Sequence, residues 1–324
     1  MSHLTRRRVG IAAALVSSAA LVLSACGGGD INSKSGNSAS GKNCDSTVNM
    51  AVNPWVGFEA SAHVVGRVIE GKLGCKVEYK NLKEEVSWQG FGSDVDVVIE
   101  DWGHPDLVKK YVDSANPTAV EVGPNGNVGQ IGWFVPPWMA KKYPGILDYK
   151  NLNKYSKMFK TSESGGKGQL LDGDPSFVTN DEALVKNNKL NFKVVYAGSE
   201  AALITAFKQA EEKKTPLIGY FYAPQWFLSN VDLKKVALPK YTKGCDADPA
   251  KITCDYPTTN LLKYASKDFM KGGGDATTVV KNFKWTNDDQ NLVAKYIAQD
   301  KMSADEAADK WIKANPDKVK AWMG

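Results

Sequence analysis

The stretch STVNMAVNPWVGFEASAHVVGRVIEGKLGCKVEYKNL, residues 46–82, decides the fold class. Its first part, STVNMAVN, and its last part, CKVEYKNL, are typical of buried strands. Between them, apolar residues recur at helical spacing and share one face, namely Phe58, Ala62, Val65, Ile69 and Leu73. A strand, a helix and a second strand in this order predict a βαβ unit with parallel strands.

The alternation of strands and helices continues along the chain. VDVVIED at 95–101 predicts a third strand, and Pro105 is well placed as the first residue of the next helix. Residues 191–198 and 215–222 predict strands on either side of a helix that Ser199 caps. The C-terminal stretch predicts helices, one of them capped by Ser303. This pattern favours an α/β fold with parallel sheets covered by helices, and about 280 ordered residues suffice for two domains.

The N-terminus has the pattern of a secretory signal. Three arginines at positions 6–8 precede an apolar run, and no acid occurs before Asp30. The run is too short for a membrane span. LSAC at 23–26 resembles the lipobox of bacterial lipoproteins. We therefore predict a lipoprotein signal peptide at residues 1–25 and a lipid on Cys26, which anchors the protein in the cell membrane on its extracytoplasmic side. A plain signal peptide with a chance cysteine is the alternative.

Composition excludes several classes of function. Residues 26–43 are rich in glycine and serine and predict a flexible tether. Loss of residues 1–25 lowers the formal net charge from +5 to +2, because they carry three arginines and no acids. No basic stripe interleaved with aromatic residues occurs, so we expect no nucleic-acid partner.

No catalytic motif is evident in the chain. It contains neither GxSxG nor HExxH. GGKG at 165–168 lacks the spacing of a phosphate loop, and DGDP at 172–175 lacks the other ligands of a calcium loop. Both are interpreted as turns, and we expect no enzymatic activity, no metal and no cofactor.

The cysteines predict two disulfides. Four remain once Cys26 carries lipid, and outside the cell these are expected to be oxidised. Cys44 precedes the first predicted strand and Cys75 the second, whereas Cys245 and Cys254 bracket a short loop. Of the three possible connectivities, we predict 44–75 and 245–254. A zinc site is the alternative, although no CxxC is present.

Aromatic side chains recur near the carboxyl ends of four predicted strands. They are Trp55 in NPWVGFEA, Trp102 in VVIEDWGHP, Trp133 in GQIGWFVPPW and Tyr222 in LIGYFYAPQW. Ligands of open α/β sheets bind beyond these strand ends, so the four rings are expected to converge. Ring faces attract a cation that offers no hydrogen-bond donor, and the set therefore suits a quaternary ammonium. A sugar stacked on tryptophan, or an aromatic core without a ligand, is the alternative.

A carboxylate on the same ligand would need hydrogen-bond donors. If the first helix begins at Gly57, the backbone amides of Val56, Gly57 and Phe58 form an anion site. His104 and Gln225 are the candidates among side chains. His104 precedes Pro105 at a predicted helix start, so capping or packing is an equally good interpretation of it.

Several segments together resemble the glycine betaine (OpuAC-like) substrate-binding proteins of ABC transporters, which have a type II periplasmic-binding-protein fold. The likeness extends over nearly all of residues 44–324. It rests on VDVVIEDWGHP, GWFVPPWMAKKYPGI, APQW and AADKWIKANPDKVKAWMG. It implies two α/β lobes joined by a two-crossing hinge, with lobe I at 44–129 and 223–324 and lobe II at 130–222. At the fourth turn the family often reads WTPHW, where this chain has Tyr222 and Gln225.

The resemblance also implies a function. It predicts a monomeric, extracytoplasmic solute-binding protein of an ABC importer, which passes glycine betaine or a related quaternary ammonium osmoprotectant to a permease with a cytoplasmic ATPase. Trp55, Trp102, Trp133 and Tyr222 would form the cage between the lobes, with Trp138 as an alternative to Trp133. A choline- or carnitine-type receptor or a ligand sensor on the same fold is the alternative, and an extracellular enzyme is a more distant one.

Three acids lie close to the predicted cage in sequence, namely Glu59, Glu100 and Asp101. We expect them to face solvent or to cap helices. An acid inside the cage would instead favour choline, which has no carboxylate, over betaine.

Overall fold

The computed structural model describes residues 47–177 and 179–324. Nine strands in this part of the chain form one sheet: β1 (Val48–Val52), β2 (Val77–Asn81), β3 (Val97–Asp101), β4 (Ala119–Val135), β5 (Gly168–Asp172), β6 (Phe192–Tyr196), β7 (Gly219–Ala223), β8 (Lys234–Lys235) and β9 (Thr258–Ser266). The α-helices there are α1 (Val56–Val68), α2 (Glu84–Gln89), α3 (Pro105–Tyr111), α4 (Pro137–Lys142), α5 (Leu152–Tyr155), α6 (Asp181–Asn187), α7 (Glu200–Lys213), α8 (Lys267–Gly272), α9 (Gly274–Asn282), α10 (Asn287–Ala298), α11 (Ala304–Ala314) and α12 (Pro316–Met323).

The sheet is parallel at its two ends and antiparallel at its centre. Its strand order is β2-β1-β3-β9-β4-β7-β5-β6, with β8 paired to β4. β1 runs parallel to β2 and β3, and β5 runs parallel to β6 and β7, which confirms the predicted parallel strands at the ends. β9 pairs antiparallel with β3 and β4, and β4 pairs antiparallel with β7. The alternation predicted parallel sheets, and this prediction was wrong for the centre. β4 has glycine and proline in its interior and β9 starts with polar residues, so neither strand shows the pattern of a buried strand over its full length.

The predicted helix starts are confirmed in detail. Pro105 is the first residue of α3. Ser199 caps α7 by accepting a hydrogen bond from the amide of Ala202, and Ser303 forms a capping box with Glu306 at the start of α11. The helix predicted up to Leu73 is α1 followed by a π-helical turn over Ile69–Leu73. It ends at Gly74, whose left-handed φ of 72° suits a residue without a side chain.

The hydrophobic core divides into separate clusters on the two sides of the sheet's centre. One cluster joins β1, β3 and β9 to α1 and the C-terminal helices, and it contains the stacked rings of Trp311 and Trp322. Two further clusters lie on the other side, around Ile146 and Phe207. Such separate cores are typical of two lobes.

The packing after residue 223, the sequence-based boundary, bears on where the chain crosses between the lobes for the second time. Four buried side chains after that boundary pack in the clusters of the second side, namely Leu233, Val236, Ile252 and Tyr256. Tyr264 packs in the first cluster. We therefore propose that the chain returns to lobe I along β9 and not at residue 223.

One of the predicted disulfides lies within the described residues. Cys245 is bonded to Cys254, which confirms the second predicted pair. Cys44 and Cys26 lie outside the described residues, as do the signal peptide and the whole tether, so the pairing of Cys44 with Cys75 and the lipid on Cys26 stay predictions. Within residues 47–177 and 179–324, every helix is too short or too polar to cross a membrane.

Candidate functional site

A small cavity lies where the two sides of the molecule meet. Its volume is about 30 Å³, two to three times the roughly 10–15 Å³ that one water molecule requires by the same measure. Trp55 and Trp102, which follow β1 and β3, contribute one part of the wall, and β4 and β7 contribute the other. The lining residues are Trp55, Glu84, Trp102, His104, Ile131, Phe177, Tyr220 and Tyr222.

Five of the lining residues are aromatic, and three pairs of their rings meet edge to face. The ring centroids of Trp102 and Tyr222 are 5.4 Å apart with an interplanar angle of 83°. Phe177 stands at 88° to Trp55, at 5.7 Å, and at 88° to Tyr222, at 6.4 Å. Tyr220 lies beside Tyr222, two residues earlier on β7, with 5.9 Å between the centroids. Rings at right angles around one space present several faces to whatever occupies it.

Glu100 holds the two tryptophans of the cavity in place. Its Oε1 accepts hydrogen bonds from the indole N–H groups of Trp55, at 2.9 Å, and Trp102, at 3.0 Å. Its Oε2 accepts from Ser61 and from Gln290, each at 3.0 Å. The side chain is fully buried, and this burial raises the pKa of Glu100 although its four donors act to lower it. The carboxylate therefore orients both indoles and adds negative charge directly behind them.

A second buried carboxylate, Glu200, links the start of α1 to β7. Its Oε2 accepts a hydrogen bond from the backbone N–H of Val56 at 2.9 Å. Its Oε1 accepts from Gln225 Nε2 at 2.9 Å and from the hydroxyl of Tyr222. Burial raises the pKa of Glu200, while the three donors lower it. The N-terminus of α1 thus receives a carboxylate from the protein itself.

The third polar group of the site consists of Glu84, Asp101 and His104. Nδ1 of His104 donates to Asp101 Oδ1 at 2.8 Å and lies 3.3 Å from Glu84 Oε1. Burial acts to lower the pKa of His104, but the two carboxylates outweigh it and raise the pKa to about 9. Burial raises the pKa of Glu84 to about 7 in spite of His104. Ligand atoms of the three residues lie within 4.8 Å of one another, as a metal would require, yet the short Nδ1–Asp101 contact is that of an ion pair.

Comparison with known proteins identifies the family to which this site belongs. The family model of the substrate-binding domain of ABC-type glycine betaine transport systems (OpuAC) matches residues 46–314. The chain belongs to this family. The predicted resemblance is therefore confirmed, and the protein is a substrate-binding protein of an ABC transport system, in the family named for glycine betaine transport.

Individual relatives of this OpuAC-family chain are more distant. The trimethylamine N-oxide-binding protein of Pelagibacter ubique (strain HTCC1062) is 27% identical over 282 residues, which cover 81% of this chain and 85% of that protein. Lactococcal OpuAC, solved closed with glycine betaine, is 21% identical with a TM-score of 0.66, over 86% of this chain and all of that one. An ABC-transporter choline-binding protein, solved with choline, is 18% identical with a TM-score of 0.69, over 86% and 91%. The two structures confirm the periplasmic-binding-protein fold.

Most of the residues predicted for the site of this family member lie at the cavity. Trp55, Trp102, His104 and Tyr222 line it. Val56 contributes its backbone N–H to Glu200, which occupies the position that we expected a ligand's carboxylate to take. A side chain at Gly57 would place its Cβ 2.2 Å from Gln290 Nε2. Because glycine has no side chain, Gln290 fits there and donates its hydrogen bond to Glu100.

Trp133 and Trp138 lie away from the cavity. Trp133 is on the same face of β4 as Ile131 but two residues further along the strand, which places it roughly 7 Å from Ile131. There its ring is buried in the second side's core and its indole N–H donates to Asp181 at 2.8 Å. Trp138 donates to the carbonyl of Ala210 at 2.9 Å on α7. Neither tryptophan is therefore part of the cavity wall.

The expectation for the acids was wrong for Glu100 and Asp101, because both are buried. Five further residues at the site were not predicted from the sequence, namely Glu84, Ile131, Phe177, Glu200 and Tyr220. Tyr220 was predictable, since alternation along β7 places it on the same face as Tyr222. Phe177 and Glu200 belong to a loop and a helix start whose positions depend on the packing of the whole chain, and no local pattern distinguishes them.

Proposed function

We propose that this protein captures a quaternary ammonium or closely related trimethylated amine outside the cytoplasm and delivers it to an ABC permease with a cytoplasmic ATPase. The observation that carries the proposal is the set of five aromatic rings around one cavity. The relatives support it, since trimethylamine N-oxide, glycine betaine and choline, which appear in their names, all carry three methyl groups on one nitrogen.

The proposed cage consists of Trp55, Trp102, Phe177, Tyr220 and Tyr222. A cation over a ring face gains about 0.5–2 kcal/mol, and more when water is excluded. Several such faces, together with burial of the methyl groups, approach the roughly −8 kcal/mol of a micromolar complex. The carboxylate of Glu100 behind both indoles adds attraction for the cation without a direct contact.

The receptor also needs a place at the membrane. We propose that Cys26 carries lipid, that residues 26–43 tether the monomeric receptor to the membrane, and that its two lobes close on the ligand. The lipobox LSAC and the glycine- and serine-rich composition of the tether support this proposal. Closure around the two chain crossings would bury the ligand between rings from both sides.

Calorimetric titration of the ligand-free protein with choline, trimethylamine N-oxide, glycine betaine and carnitine tests the proposal. We expect at least one of them to bind with a dissociation constant in the micromolar range or below. L-Glutamine, which has an ammonium without methyl groups, is the control and should not bind. If none of the four methylated compounds bound to the folded protein, the proposed function would be wrong.

Gly129 on β4 offers a test of the cage that removes none of its rings. A Cβ at this position would lie 2.7 Å from the ring of Trp102 and 2.8 Å from Leu261. We therefore expect Gly129→Ala to shift the Trp102 ring and to weaken ligand binding about tenfold, as titration of the folded variant measures. Gly272→Ala is the matched control, because nothing lies within 4 Å of a Cβ there. Equal binding by both variants would contradict the assigned position of Trp102 in the cage.

A further inference from the structure

The donors suited to a ligand's carboxylate are already in use within the protein. The backbone N–H of Val56, the side-chain amide of Gln225 and the hydroxyl of Tyr222 all donate to Glu200. These groups come from both sides of the cavity and converge on the two oxygens of one side chain. Three donors on two oxygens match the ionised carboxylate, which accepts and does not donate.

The remaining basic group at the cavity is matched as well. Among the described residues of the wall, His104 is the basic one, and its Nδ1 faces Asp101 and Glu84 at 2.8 and 3.3 Å. Two carboxyl groups facing one imidazolium leave no unmatched positive charge in this cluster for a ligand's carboxylate. A carboxylate entering the cavity would meet Glu84 in the wall and Glu200 one hydrogen bond behind it.

We infer that Glu200 makes the site selective for trimethylated ammonium compounds without a carboxylate, such as choline or trimethylamine N-oxide, and against glycine betaine and carnitine. The inference rests on the proposed function and narrows its ligand class. A ligand carboxylate would have to displace Glu200 from three donors or lie unpaired beside it, and a buried charge without partners is strongly unfavourable. A cationic head without a carboxylate meets neither obstacle, and the same acids attract it.

The experiment is a calorimetric titration of the wild-type protein and of Glu200→Gln with choline, trimethylamine N-oxide and glycine betaine. Wild type should bind choline or trimethylamine N-oxide at least tenfold more tightly than glycine betaine. Glu200→Gln keeps the size of the side chain and removes its charge. The preference for the carboxylate-free compounds over glycine betaine should therefore become about tenfold smaller. Which of the two carboxylate-free compounds binds more tightly shows whether a net positive charge or a compact N-oxide is preferred, and either order supports the inference.

Glu182→Gln is the matched control, because Glu182 is an exposed glutamate that also accepts a hydrogen bond from a tyrosine, Tyr196, at 3.3 Å. Glu182→Gln should leave the ratio of the dissociation constants at its wild-type value. The inference is overturned if wild type binds glycine betaine as tightly as the other two compounds, or if a folded Glu200→Gln protein keeps the wild-type ratio. Should Glu200→Gln fail to fold, the wild-type ratio decides. If wild type binds none of the three, the inference fails, and the proposed function fails with it only if carnitine does not bind either.

Discussion

Replacing Trp102 with alanine should weaken binding of the trimethylated ligand by roughly thirtyfold or more, which corresponds to about 2 kcal/mol. Trp102 packs against the core of both sides and stands edge to face with Tyr222 at 5.4 Å. Its loss removes one ring face from the cation and leaves Glu100 without one of its four donors. Titration of the folded variant measures the effect.

Two further variants make this result specific for the ring. Trp102→Phe should cost less than Trp102→Ala, because a smaller aromatic face remains over the ligand. Trp138→Ala is the matched control, since Trp138 is also a half-buried indole with one hydrogen bond, to Ala210, but lies away from the cavity. If Trp102→Ala bound the ligand as well as Trp138→Ala does, Trp102 would belong to the core and not to the cage.

The local parts of the fold were predictable because their causes are local. The first βαβ unit follows from two apolar runs around a helical stripe, and the starts of α3, α7 and α11 follow from Pro105, Ser199 and Ser303. The antiparallel centre was not predictable in this way. β4 and β9 pair across more than a hundred residues of sequence, and their partners are decided by how the two lobes pack.

The site shows the same division between local and long-range causes. Trp55 and Trp102 were predicted from strand ends followed by turns, and the general position of such turns in α/β sheets placed them correctly. Trp133 has the same local pattern, yet β4 runs antiparallel to β7, so residues toward the end of β4 lie further from the site than Ile131, which pairs with Tyr222. No local sequence pattern points to Glu200, because its role depends on Val56, which is 144 positions away in the chain.

The central claim is that the cavity recognises a positive charge through aromatic faces and not only a shape. Choline and 3,3-dimethylbutan-1-ol test it most directly, because the alcohol replaces the ammonium nitrogen with carbon and keeps the three methyl groups and the hydroxyl. The neutral compound is less well hydrated than choline, so burial alone would favour it. Ring faces and the carboxylates behind them favour the cation only.

The decisive measurement is the ratio of the two dissociation constants, from calorimetric titration of the same ligand-free protein at one pH and ionic strength. Choline should bind roughly 30- to 100-fold more tightly, which corresponds to about 2–3 kcal/mol. Equal binding of the two compounds, or tighter binding of the alcohol, would contradict the account, because the cavity would then be an apolar pocket that selects for size alone.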